Sequence, residues 1–172
     1  GGICDILYLN GMASPLLAGS DFHPNKQEKK PDFPPGAFQY TVLPDTEKTV
    51  EGVFDTLRRG RTYAVQNAVI KNLSWNWDKT GAASIRMEIA FHAAQPVRQL
   101  QVIAGTGQGA SVTGTFPVKV PGPHRLDLTF DTPSPLYCRI RGKGAEVRPG
   151  PGGEPRAAAF ATSAVFRNGT RP

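Results

Sequence analysis

The sequence is short of the residues on which several classes of protein depend. Its 172 residues include 2 cysteines, Cys4 and Cys138, too few for a disulfide framework or a structural zinc site. Cys138 alternates in phase with apolar neighbours, so we expect a buried free thiol there. No apolar run approaches the roughly 18 residues of a membrane-spanning helix. The first residues lack the basic and long apolar parts of a signal peptide, and the compartment stays open.

The net charge of the chain is small, and its charged residues are spread along the sequence. Twenty Lys+Arg face 14 Asp+Glu, which gives a net charge of +6, and the basic residues are scattered apart from Lys26, Lys29 and Lys30. A nucleic-acid-binding protein normally has a dense basic stripe with interleaved aromatic residues, so we expect no nucleic-acid partner. What the sequence does have is 19 Gly and 16 Pro, about a fifth of the chain. This abundance predicts many turns between short strands.

Residues 1 to 65 show the pattern of mixed helix and strand. Residues 3 to 12 are apolar and short, and they fit either a helix or a strand. The apolar run over residues 15 to 19 is typical of a buried strand that leads into a loop. Further strands are predicted over residues 38 to 43 and 61 to 65.

A helix is predicted between the last two of these strands. Asp45 or Thr46 can cap its start, apolar residues between 50 and 57 recur at helical spacing, and Gly60 ends it.

From about residue 66 the hydrophobic period changes to two. Alternation of this kind predicts antiparallel strands with one buried and one solvated face, and turn residues separate the runs. We therefore expect an α+β protein whose residues 66 to 172 form an antiparallel β-sandwich. The side chains expected to face inward are Ile85, Met87, Ile89, Phe91, Leu100, Val102, Leu126, Leu128, Phe130, Leu136, Cys138 and Ile140, whereas Tyr137 and Arg139 are expected to face solvent.

The sharpest local signal for chemistry is the run Gly19-Ser20-Asp21-Phe22-His23. Asp21 and His23 are two residues apart and therefore point to the same side of an extended chain. A carboxylate oxygen and a neutral imidazole nitrogen suit zinc, manganese or iron. The pair could bind one ion or bridge two neighbouring ones. The alternative is an Asp that makes a turn beside a surface His.

The run from Pro15 to His23 resembles the last metal-binding motif of the polymerase-and-histidinol-phosphatase (PHP) superfamily, and more closely that of its CehA/McbA-like metallohydrolases. In those proteins a strand and a helix follow, and the helix ends in a sequence similar to Gly60-Arg61-Thr62-Tyr63-Ala64. A β-sandwich commonly comes next, and residues 163 to 166 resemble its closing strand.

This resemblance implies a metal-dependent hydrolase, typically of phosphate esters, with Asp21 and His23 as metal ligands. Residues 1 to 65 would be the C-terminal segment of the hydrolase domain, a terminal strand and helix of a PHP-type (β/α) barrel, and residues 66 to 172 the β-sandwich domain. Family members assemble their divalent metal ions on further histidines and carboxylates, whereas His92 and His124 fall in the presumed sandwich. The chain is thus expected to be the C-terminal portion, with an incomplete site and little activity by itself. Its expected partner is the N-terminal part of the same enzyme or a second copy.

Four basic residues could attract an anionic substrate to such a site: Lys26, Lys29, Lys30 and Arg61. The alternative for the lysines is a solvated loop. Arg61 could instead interact with the helix dipole or a carboxylate where the helix ends.

Other features allow a function of another class, a non-catalytic β-sandwich module for binding or interaction. Trp75 and Trp77 lie on one face of a predicted strand, where they fit either a stacking platform for a sugar or base, or core or inter-domain packing. Residues 105 to 109 are rich in Gly, but no helix follows them, so they predict a hairpin turn and not a phosphate-binding loop.

Overall fold

The structure, a computed structural model, describes residues 2–12, 14–18, 39–44, 46–78, 82–91, 96–129, 135–144 and 158–167. Within these ranges no helix is both long and apolar enough to cross a membrane. The elements of the described part are, in chain order, α1 (Ile3–Leu9), β1 (Gln39–Val42), α2 (Val50–Arg58), β2 (Tyr63–Gln66), β3 (Ala68–Trp77), β4 (Ala83–Phe91), β5 (Val97–Thr106), β6 (Gly109–Pro117), β7 (Gly122–Leu128), β8 (Tyr137–Gly144), β9 (Ala159–Thr162) and β10 (Val165–Phe166).

The strands form two antiparallel sheets. The larger has the order β1-β2-β9-β8-β5-β6, with β10 also paired to β8, and the smaller has the order β3-β4-β7. Buried apolar residues of both sheets make up one hydrophobic core. The sheet-rich α+β class expected from the sequence is confirmed, and the barrel piece stays a prediction.

The period-two pattern locates the core correctly in the smaller sheet. Ile85, Met87 and Ile89 on β4 are buried, and so are Leu126 and Leu128 on β7. The two strands pair with Ile85 opposite Leu126, so their apolar faces coincide. Phe91 is partly buried against the same core, and Phe130 lies outside the described residues.

The prediction that Tyr137 and Arg139 of β8 face solvent is wrong. Tyr137 is fully buried and the Arg139 side chain is 12% exposed, while Leu136, expected to be buried, is 49% exposed. The reason is α1, which contacts β5 and β6 and buries Asp5 and Tyr8 against this side of the larger sheet. Alternation along one strand contains no information about a helix from the far end of the chain.

The strand predicted over residues 15 to 19 is also wrong, because residues 14–18 have no regular secondary structure. Leu17 is exposed. The N–H and C=O of Leu16 form hydrogen bonds with side-chain hydroxyl groups and not with a neighbouring strand. Residues 3 to 12, whose sequence fitted either a helix or a strand, contain the helix α1.

Helix α2 occurs where the spacing predicts it but begins later. Its N-cap is Thr49, whose hydroxyl accepts a hydrogen bond from the Gly52 N–H at 3.0 Å, and not Asp45 or Thr46. Thr46 instead shares a 2.8 Å hydrogen bond with the hydroxyl of Thr56. Gly60 follows the helix as predicted.

The strands predicted over residues 38 to 43 and 61 to 65 are confirmed as β1 and β2. Both belong to the larger sheet, because β2 pairs with β9 over four residues. The larger sheet therefore extends across the predicted boundary near residue 65, and the division into two domains stays a prediction.

Strand β3 contains a bulge that changes which face its side chains occupy. The register with β4 shifts between Lys71 and Ser74, and Asn72 adopts a φ of +50° there. Before the bulge the even-numbered Ala68 and Ile70 are buried. Beyond it the odd-numbered residues pack against the core: Leu73, Trp75 and Trp77.

Candidate functional site

A cleft of about 1030 Å³ lies at the end of α2. It is lined by the last turn of α2, the start of β2, the turn between β9 and β10, and the outer half of β3. We call it the α2 cleft. The volume suits a small ligand.

The end of α2 sets the position of Arg61 at this cleft. Gly60 has a φ of +62°, a conformation that costs a residue with a Cβ more than it costs glycine. The turn lets the Gly60 N–H donate to the Leu57 carbonyl at 3.0 Å and the Arg61 N–H donate to the Thr56 carbonyl at 3.2 Å. The chain leaves the helix with Arg61 exposed and lining the cleft.

The next residue, Thr62, belongs to a buried group of hydrogen bonds with Leu16 and Ser163, which we call the hydroxyl clasp. The Thr62 hydroxyl donates to the Leu16 carbonyl at 2.8 Å and lies 2.9 Å from the Ser163 hydroxyl. The Leu16 N–H donates to Ser163 Oγ at 2.9 Å. Each hydroxyl has one proton, so Ser163 donates to Thr62, and both hydroxyl groups and both Leu16 backbone groups have partners.

The clasp determines where the chain runs before the Asp21 and His23 motif. Thr41 extends the contact, because its hydroxyl accepts from the Ala18 N–H at 2.8 Å and donates to the Ala18 carbonyl at 3.0 Å. Residues 16 to 18 are therefore bound to the start of β2 and to β1, next to the α2 cleft. The first part of the Pro15 to His23 run is therefore a neighbour in space of the Gly60 to Ala64 segment, although Leu16 and Thr62 are 46 residues apart.

Arg61 is the one residue expected at the site that the structure describes. Asp21 and His23 lie outside the described residues, as do Lys26, Lys29 and Lys30. In the part of the chain that the structure does describe, no group of three or more His, Cys, Asp or Glu is placed to hold a metal ion.

Of the other two histidines, His124 is described and does not line the cleft. His124 is on β7 in the smaller sheet, where its ring lies 3.2 Å from the Val120 carbonyl. His92 lies outside the described residues.

The strongest electrostatic cluster lies under α1 and has a structural role. Asp5 accepts hydrogen bonds from the Gly2 N–H, from the Tyr137 hydroxyl and, at 2.8 and 2.7 Å, from two nitrogens of Arg139. Burial by itself raises the pKa of Asp5, but the hydrogen bonds and the guanidinium charge outweigh it and lower the pKa to about 2.

The pKa values of the two side chains bonded to Asp5, Tyr137 and Arg139, are raised. Burial and the nearby carboxylate raise the pKa of Tyr137. Burial lowers the pKa of Arg139, but its hydrogen bonds to Asp5 reverse that effect and the net shift is upward. The charged groups of this cluster form hydrogen bonds with one another, as expected of an ion pair that attaches α1 to the sheet.

Cys138 is a free, buried thiol, as the sequence predicts. Burial raises its pKa to about 12, so at neutral pH it is not a nucleophile. The hairpin predicted at residues 105 to 109 is confirmed between β5 and β6.

Sequence reasoning named Arg61 but gave no role to Thr62 or Ser163. Both were noted only as members of short motifs. Their pairing depends on the register of β2 against β9, in which Tyr63 is opposite Thr162. Only a long-range strand pairing brings the two hydroxyl groups together.

Comparison with known proteins identifies no relative of this chain: no family model, no curated protein and no solved structure matches it.

Proposed function

We propose that this chain is the C-terminal part of a metal-dependent hydrolase of phosphate esters, which supplies two metal ligands and an accessory β-sandwich. The observation that carries the proposal is the hydroxyl clasp. It joins Leu16, in the run that resembles the last metal-binding motif of PHP-type metallohydrolases, to Thr62, in the second motif of that resemblance. Such contact is what neighbouring segments of one active site require.

Asp21 and His23 are the proposed ligands. A carboxylate oxygen and an imidazole nitrogen fit a zinc, manganese or iron ion, and further ligands would come from residues outside this chain. A bound ion of this kind supplies an activated water near neutral pH and neutralises phosphoryl charge. Arg61 would attract and orient the anionic substrate, together with Lys26, Lys29 and Lys30.

Exposed apolar side chains support the proposed partner, the N-terminal part of the same enzyme. Ile3 and Ile6 are three residues apart on α1, and Val50 and Phe54 are four apart on α2. Each is more than half exposed. Residues at such spacing form one face of a helix, and a face of this kind normally packs against another element.

Metal binding by the 172-residue chain tests the proposal. We would add substoichiometric Mn²⁺ and follow the paramagnetic broadening of backbone amide signals by NMR. Broadening is expected first at the residues around the clasp, Leu16, Thr62 and Ser163, while β7 stays sharp. Asp21→Asn should remove this broadening.

His124→Gln is the matched control, because it removes an imidazole on the smaller sheet and should change nothing at the clasp. If Mn²⁺ broadens no signal at the clasp, or if Asp21→Asn leaves the broadening intact, the ligand assignment is wrong. In that case the β-sandwich binding module is the better description.

A further inference from the structure

The α2 cleft has two kinds of wall that neither the clasp nor the proposed ligand pair uses. Arg58 and Arg61, at the end of α2, are exposed and line the cleft. Leu73 and Trp75 on β3 and Phe166 on β10 line it as well. The cleft therefore has both a cationic and an apolar lining.

Among the described residues that line the cleft, positive charges outnumber negative ones. Three arginines line it against one carboxylate, Asp55, which pairs with Arg59 at 2.9 Å. The negative end of α2 contributes about half a unit charge of opposite sign. Arg58 and Arg61 therefore leave an excess that favours an anion, and guanidinium groups bind phosphoryl oxygens in a bidentate manner.

The aromatic part of the wall is held in place by a second ring. Trp75 stacks on Trp77 with ring centroids 6.5 Å apart and 15° between the planes. The Trp75 indole N–H is shielded from solvent and has no hydrogen-bond partner among the described residues. Because this N–H is not accessible, Trp75 offers the cleft apolar indole surface and not a donor. Such a surface suits a planar ring.

We propose that the α2 cleft binds a small anion that carries an aromatic group, of the class of aryl phosphates. Its phosphoryl group would bind Arg58 and Arg61, and its ring would pack against Trp75. As a statement about substrate class this inference rests on the proposed function. As a statement about binding it rests on the cleft alone.

Isothermal titration calorimetry of the whole chain with phenyl phosphate, without metal, tests the proposal. Inorganic phosphate and phenol serve as the two half-ligands. Ring packing on one aromatic side chain predicts that phenyl phosphate binds at least about fivefold more tightly than phosphate. It should also bind more tightly than phenol, since phenol lacks the charge.

Variants separate the two halves of the site. Arg58→Gln and Arg61→Gln should each weaken phosphate and phenyl phosphate alike, by about threefold to tenfold. Trp75→Leu should remove the advantage of phenyl phosphate and leave phosphate binding unchanged. Arg98→Gln, an exposed arginine on β5 away from the cleft, is the matched control and should have no effect.

Intrinsic fluorescence gives a second measurement that does not depend on whether Trp75→Leu folds. Trp75 and Trp77 are the only tryptophans of the chain. Their emission in the unmodified protein should change with phenyl phosphate and not with inorganic phosphate.

The proposal is overturned if phenyl phosphate binds no more tightly than either half-ligand, or if neither arginine variant weakens it. The Mn²⁺ experiment distinguishes this failure from that of the proposed function, because it reports on the proposed ligand Asp21, whereas the calorimetry contains no metal and reports on the cleft alone.

Discussion

Asp5→Asn tests the attachment of α1 to the larger sheet. The carboxylate accepts four hydrogen bonds, and it is 1% exposed. The amide has nearly the same shape but places an NH₂ group against donors that were paired with oxygen. It also leaves the Arg139 guanidinium charged, with 12% of its side chain exposed.

Breaking a buried ion pair by removing one partner costs about 3–5 kcal/mol. The loss cannot exceed the free energy with which α1 docks, because α1 can detach and expose Arg139 to water. A helix of seven residues does not persist once detached. We therefore expect the free energy of unfolding to fall by about 3 kcal/mol.

Urea unfolding followed by circular dichroism measures that loss, and amide hydrogen exchange locates it. Protection should disappear at Tyr8 and Leu9 while β4 keeps its protection. The matched control is Asp127→Asn, which removes an ion pair of similar separation, 2.9 Å from Arg125, but with both side chains about 60% exposed. This control should unfold at the wild-type urea concentration. An Asp5→Asn protein with unchanged exchange and an unchanged midpoint would refute the reasoning.

The same interaction gives a pH dependence. The pKa of Asp5 falls from its ordinary value of 3.8 to about 2 on folding, so its ionised form stabilises the folded state above about pH 4. That contribution is lost as the pH falls from about 4 towards 2. In the Asp5→Asn protein the free energy of unfolding should depend less on pH in this range. Equal acid sensitivity of the two proteins would contradict the assignment.

Thr62→Val should lower the free energy of unfolding by about 1–3 kcal/mol, because it leaves the Leu16 carbonyl without its buried partner. Exchange at residues 16 to 18 should rise, while the control Thr113→Val, on an exposed part of β6, should have little effect in the same urea assay. Cys138 should resist a thiol reagent at pH 8 until the protein unfolds, because burial raises its pKa to about 12. Cys4 is half-buried and should react first, so a count of two rapidly reacting thiols in the native protein would be the contrary result.

Local sequence patterns were sufficient to predict features that depend on a single helix or strand. The alternation along β4 identified Ile85, Met87 and Ile89 as core residues, because a half-buried strand repeats every two residues. The spacing of apolar residues and Gly60 likewise indicated α2 and its end. The Gly-Arg-Thr-Tyr motif placed Arg61 at the exit of that helix, where the cleft begins.

Tertiary structure decided the features that depend on contacts between distant parts of the chain. Tyr137 is buried because α1 covers it, and Asp5 and Tyr137 are 132 residues apart. The bulge in β3 turns Trp75 toward the core and the cleft, which a strict alternation could not predict. The hydroxyl clasp exists only because β2 pairs with β9 and brings Ser163 to Thr62 across 101 residues. Sequence patterns report the face that a residue prefers, whereas the partner on that face is determined by the packing of the whole chain.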